Sequence, residues 1–395
     1  MDLPPRRARP AVHRFSLRYL LVAPVLLATL TGYVLFLHSD VNMYMLYSQC
    51  HARSRLPWLS HIPVLGSPAC FLVSFFQEAV SSSSHASIRA SSTMAAILSF
   101  IAGLLTVSTV EAARICNAPS IVIAYPTGPW ILFTLIGGAI VWELVIIPAF
   151  FHRSRAISAA RKAGPGGSHA QLPAGPADPT FGEAMRHLGP NGLAETVAIP
   201  VAVAVGFVVP SLLMLVLDNP AAVLVWLFFP VLVSLVRQAV RRLLVVITLW
   251  ARVGGQERRW NGSGSLHLES DRRALVAVYA LPVACSILAH GYLLWSLTRP
   301  DDRKEMTRSV LKFITIDAFF VGLTVLYWIL VEAGWRVALV VAGASVMLGP
   351  GAGICIGWIY REQTVDPDRS VTVVAVGSRR ESEDASPSEE TPLLR

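Results

Sequence analysis

Apolar runs of about 20 residues, set apart by shorter polar or Gly/Pro-rich stretches, dominate this chain. A run of that length is what a helix needs to cross the hydrocarbon core of a bilayer. The runs predict spans at 16–38, 63–80, 92–113, 127–151, 195–217, 221–249, 274–297, 309–331 and 335–359. The expected fold class is all-α, a polytopic transmembrane helix bundle of about eight or nine spans. A basic segment, 1–15, precedes the helical domain at 16–362, and a polar tail, 363–395, follows it with the composition of disorder. The run at 63–80 is short and holds Gly66 and Pro68, which also suit a re-entrant or interfacial segment.

Charge placement decides how that short run is counted. Arg153, Arg155, Arg161, Lys162 and Arg186 lie in one long loop, and Arg252, Arg258, Arg259, Arg272 and Arg273 in another. Those loops and the basic N-terminus share the cytosolic side if 63–80 crosses, so it is counted as a span. The first run, with Arg6, Arg7, Arg9 and Arg14 before it and Arg18 at its start, is too long for a signal-peptide core and reads as an anchor. The 163–179 stretch, rich in Gly, Pro and Ala, reads as a loop.

Composition agrees with this class. The chain is 54% hydrophobic and 15% charged, too few charges for an ordinary soluble domain. The net charge of +8 comes from arginines between the apolar runs, where they set topology. No basic stripe interleaved with aromatics points to nucleic acid. The expected partners are the lipid bilayer and a lipophilic small molecule, and the expected site is an endoplasmic reticulum or other endomembrane. The cysteines are scattered without a C-x-x-C pair, and Cys70, Cys285 and Cys355 read as small buried hydrophobes. The Asn261-Gly-Ser sequon falls in a loop assigned to the cytosol, where it stays unmodified. Near the end of the chain, Glu389-x-x-x-Leu393-Leu394 has the form of an acidic dileucine sorting signal. The span count places that tail on the lumenal side, where such a signal has no reader.

Ionisable groups inside apolar runs are the candidate chemistry. Glu111 and Arg114 share a helix face, with Asn117 three residues on. They form either a structural ion pair at a helix end or the polar floor of a pocket. Asp317 sits near the middle of its run, and its partner is expected on another helix, because Lys312 is a poor helical match. Desolvation there favours the neutral carboxylic acid, a proton donor, although a packing hydrogen bond is equally available to it. Glu143 is a similar candidate, whereas Glu332 lies at a span end. Arg237 and Arg241 share a face that suits snorkelling toward headgroups or an anion contact. Gly349, Gly353 and Gly357 allow close helix approach, and Pro350 a kink. No diphosphate–magnesium motif, iron or zinc pair, or ATP loop is present, so no cofactor is expected.

Four segments carry a resemblance: Phe71–Phe76, Val110–Asn117, Gly206–Met214 and Ala342–Gly353, the last followed by Arg361-Glu362. In pattern and order they resemble a group of fungal integral-membrane proteins of meroterpenoid pathways, which includes the terpene cyclases of ascochlorin-type biosynthesis. The resemblance covers about Pro63 to Glu362. It implies a cofactor-independent cyclase that protonates an epoxide or alkene on a prenyl chain. It also implies Glu111 as first choice for the acid, Asp317 as second, and Arg114 and Asn117 as orienting groups. The competing readings are a transporter, with breaks near Pro210, Pro230 and Pro350 as gates, and a non-catalytic endosomal or vacuolar protein.

Overall fold

The structure, a computed structural model, describes residues 15–38, 41, 46, 66–80, 87–163, 188, 192–217, 219–253 and 272–364. Among them every regular element is a helix. Three helices come first: α1 (Leu17–His38), α2 (Gly66–Val80) and α3 (Ile88–Ala113). A short helix, α4 (Thr127–Ile136), meets α5 (138–163) at Gly137. Two helices with a bend between them, α7 (Pro220–Leu227) and α8 (Phe229–Val253), follow α6 (192–217). The last four are α9 (Arg272–Leu297), α10 (Glu305–Ala333), α11 (Trp335–Leu348) and α12 (Pro350–Thr364).

The protein is an integral membrane protein by the length and composition of its helices. Five of them are long and apolar enough to cross a bilayer, and α7–α8, bent by 62°, makes a sixth. Their outward faces carry bare apolar side chains such as Phe36, Leu288 and Phe319, which lipid accepts and water does not. At the centre stands α3, with α9 and α12 packed along it. The close approach to α12 depends on Gly103, since a Cβ there would lie 2.8 Å from the Gly351 carbonyl oxygen.

Among the described residues the expected count of eight or nine spans is not confirmed, and two of the predicted runs fold back on themselves. The run at 127–151 reverses at Gly137, whose φ of 122° is open to glycine and strained for other residues. In a straight helix Trp130 and Trp142 would lie about 18 Å apart. Here their ring centroids are 6.2 Å apart. The run at 335–359 reverses at Gly349, with φ 93°, and Gly353 and Gly357 of α12 then lie directly against Ser345 and Val341 of α11. With 14 and 15 residues, α11 and α12 are each about 21–22 Å long, short of a bilayer core of about 30 Å. Both hairpin tips sit at mid-depth. Gly138 abuts Asp317, near the midpoint of α10, and Gly349 abuts Ser286, near the midpoint of α9. The described part of the short 63–80 run, α2, has 15 residues and reaches about 22 Å alongside the first half of α10.

Proline explains the remaining irregularities. A π-helical segment, Trp142–Ile146, stops two residues before Pro148, and another, Ala204–Val208, stops two residues before Pro210. A proline supplies no N–H and crowds the preceding turn, and one extra residue in the turn relieves both defects. The chain therefore continues through Pro210 without a gate-like break. It does break next to Pro230 and Pro350.

The hairpins fix which helix ends share a face of the membrane. Arg155 donates to the Phe15 carbonyl at 2.7 Å and Arg153 to that of Cys116 at 2.5 Å. Arg361 meets Glu332 and Glu111, and Arg237 meets Glu195. The start of α1 and α6 and the ends of α3, α5, α10 and α12 thus lie together, on the face that bears the arginine-rich loops. On the opposite face Asp302 caps α3, accepting from the Ser87 hydroxyl at 2.6 Å and the Ile88 amide at 2.8 Å. Partial burial opposes ionisation of Asp302, but these hydrogen bonds outweigh it and hold its carboxyl below the usual range. Cys70, expected as a small buried hydrophobe, is buried and is also disulfide-bonded. Cys285 and Cys355 are free.

Gly349→Ala tests the tip. Its strained φ and the Ser286 Oγ only 2.8 Å from an added Cβ predict a loss of about 1–3 kcal/mol in detergent unfolding. Gly343→Ala, with open space around it, is expected to be neutral or slightly stabilising in the same assay.

Candidate intramembrane acid site

The five predicted site residues divide between two places. Glu111, Arg114 and Asn117 come together at the basic end of α3. The first two are one helical turn apart, and their ion pair measures 3.1 Å. The chain leaves the helix at Arg114, so Asn117 folds back to donate to Glu111 through its side-chain amide, at 2.9 Å to the carbonyl and 3.0 Å to Oε2. The sequence reading missed the rest of the cluster, which α10 and α12 supply. Trp358 and Arg361 each donate to Glu111 Oε1 at 3.1 Å. Arg114 reaches Glu362 at 2.5 Å, and Arg361 also pairs with Glu332, which accepts from Trp328 at 2.6 Å.

Three carboxylates and two guanidiniums thus lock α3, α10 and α12 together. Glu111, Arg114, Arg361 and Glu362 are all buried. Arg114 sits between Glu111 and Glu362, Arg361 lies against Glu111, Glu332 and, at 3.7 Å, Glu362, and the indole of Trp358 stacks under Arg361 at 4.5 Å. Glu111 is an acceptor on both oxygens. It is therefore held as a carboxylate, and protonating a substrate would require giving up those bonds. The visible sequence signal was an Arg-Glu pair directly after an apolar helix. What it lacked was the hairpin that returns the pair to the end of α3.

Asp317 and Glu143 lie elsewhere, at mid-depth. About 22 Å of α10 separate Asp317 from Glu332. Asp317 takes the role of a helix cap in the middle of the membrane. Its two oxygens accept from the Ala139 and Gly138 amides at the start of α5, each at 3.0 Å. A helix that begins inside the apolar layer exposes N–H groups that no water can satisfy, and a carboxylate both bonds them and complements the dipole. The interhelical partner expected for Asp317 is thus a backbone, and the hydrogen-bonding reading fits better than the proton-donor one.

Glu143 is different. It lies in the Trp142–Ile146 π segment and is 0% exposed. Its Oε1 accepts from Thr31 of α1 at 2.8 Å, with Thr324 of α10 at 3.4 Å. Thr324 has one hydroxyl proton, and its better bond goes to the Phe320 carbonyl at 2.8 Å. Among the described residues Glu143 Oε2 has no hydrogen-bond partner and no cation pairs with the group. A carboxylate without countercharge in this layer is costly, so the neutral acid is the form that the site accepts. Trp142, Trp328 and Phe150 pack beside it as part of a closed aromatic cluster, with Trp142–Trp328 centroids 6.1 Å apart.

Arg237 and Arg241 bracket Glu195 of α6 at 2.8 and 3.3 Å, so the anion that they contact is the protein's own. Comparison with protein-family models, with curated proteins and with solved structures gives no match.

Proposed function

We propose that this membrane protein takes part in proton-linked transport, with Glu143 as the group that takes up and releases the proton. The observation that carries this reading is the setting of Glu143. It is an uncompensated carboxyl at mid-depth, on the irregular turn of a helix that starts inside the membrane. Discontinuous helices meeting at the midplane are how many transporters build ion sites. The bond between Thr31 and Glu143 gives a proton change a structural consequence, because it ties α1 to the first hairpin.

Reconstitution into liposomes loaded with a pH-sensitive dye tests this. Under an imposed membrane potential the protein is expected to acidify the lumen well above the rate of empty liposomes. Glu143→Gln, which keeps the shape and loses the titration, is expected to abolish that excess. Uptake no faster than empty liposomes, or an unchanged Gln variant, contradicts the proposal.

A second reading, acid-initiated cyclisation of a prenylated epoxide, rests on the motif resemblance and on the aromatic rings beside Glu143. On that reading Glu143 is the remaining acid with a free oxygen, since Glu111 and Asp317 are engaged. Microsomes holding the protein would then convert such a substrate without metal or nucleotide.

A further inference from the structure

We infer that Glu143, Thr31 and Thr324 together form a site for an alkali cation of sodium's size, which takes the place of the proton on Glu143. The inference rests on the transport reading in one respect, that Glu143 gives up its proton.

Three helices deliver oxygen atoms to one point at mid-depth. Thr31 comes from α1, Glu143 from α5 and Thr324 from α10, and all three side chains are fully buried. The two hydroxyl oxygens lie 2.8 and 3.4 Å from the same carboxyl oxygen, Glu143 Oε1. Thr324 gives its proton to the Phe320 carbonyl and so turns a lone pair toward Glu143. Two acceptors that face each other in an apolar layer repel unless positive charge lies between them. Glu143 Oε2, without a hydrogen-bond partner among the described residues, adds a fourth oxygen.

Size and charge select the ion. Calcium, close to sodium in radius, binds oxygen at about 2.3–2.6 Å, so ligands at right angles around such an ion stand about 3.3–3.7 Å apart. The 3.4 Å separation already fits. The 2.8 Å separation is held by the Thr31 proton and opens by about 0.5 Å when Thr31 donates to its own helix instead, as Thr324 does. One carboxylate balances a single positive charge, which selects a monovalent ion over a divalent one. Exchange of that ion for a proton leaves the site neutral in both states. The elements packed around this turn are α1, α4, α10 and the helix at 121–124, and Asp317 of α10 is the titratable side chain among them that acts on Glu143. Tyr33 of α1 faces outward. Asp317 is engaged with the α5 amides, so its charge attracts a cation without ligating it.

Binding of radioactive sodium to the purified full chain tests the site, with choline as the replacing cation. Saturable binding is expected. Its affinity should fall about tenfold for each pH unit of acidification over the range in which Glu143 is protonated, because one proton competes with one sodium ion. Thr31→Val and Thr324→Val keep the shape and each lose an oxygen. Each is expected to weaken binding at least about tenfold, no less than the loss of a supporting partner costs a metal site. Absence of saturable binding by the wild-type protein, or binding that pH does not move, overturns the inference; so does full affinity in both valine variants. Proton uptake by liposomes in choline medium reads the transport proposal separately. Uptake that sodium does not slow upholds that proposal and overturns this one. Saturable, pH-dependent sodium binding without proton uptake does the reverse.

Discussion

Arg114→Met is expected to destabilise the protein by about 3–5 kcal/mol, measured by denaturant or SDS titration in detergent. The cost comes from what the change leaves behind. Glu362 loses its 2.5 Å partner and Glu111 one of its two guanidiniums, both in a setting that admits little water. A methionine fills similar volume, so a cavity is not the cause. The double change Arg114→Met/Glu362→Leu removes a charge of each sign together and should recover a large part of the loss. An Arg114→Met variant as stable as the parent would mean that the cluster is hydrated and the helices are held by packing alone.

The second large effect belongs to Asp317→Leu. It strips both acceptors from the first amides of α5, and two unsatisfied N–H groups cost about 2–6 kcal/mol together. Asp317→Asn keeps one acceptor oxygen and should lose about half as much. The pair of variants separates two roles. If Asp317 is a cap, activity should follow stability, and Asn should be the milder change. If it is the acid that starts a reaction, Asn should be stable and inactive. Unfolding curves and proton uptake on the same preparations distinguish these outcomes.

Much of this architecture is legible in the pattern of apolar runs, and the failures have a common cause. Run length reports how much chain lies in the apolar layer, but not whether it goes through or turns back. Gly137 and Gly349 turn two runs back, and a lone glycine in an apolar run reads equally well as a helix-packing residue. Gly353 and Gly357 do serve packing, as their spacing suggested. The ion pair of Glu111 with Arg114 was readable because three residues separate them. Their partners Glu332, Arg361 and Glu362 are more than 200 residues away, and only the hairpin brings them near. The four resembling segments now have structural roles: Val110–Asn117 contributes to the charged lock, Gly206–Met214 begins in a π segment where Gly206 lies against α8, Ala342–Gly353 forms the hairpin tip, and Phe71–Phe76 packs on Phe313 and Trp226. Such roles recur wherever a fold recurs and do not specify a reaction.

Everything proposed about function turns on an acid kept neutral in mid-membrane. Infrared spectroscopy of the protein in lipid at neutral pH reports this directly, through the C=O stretch of a protonated carboxylic acid. The wild-type protein is expected to show that band, shifted by deuterium exchange, and Glu143→Gln to lack it. A wild-type spectrum without the band, or a band that survives in the Gln variant, would contradict the assignment.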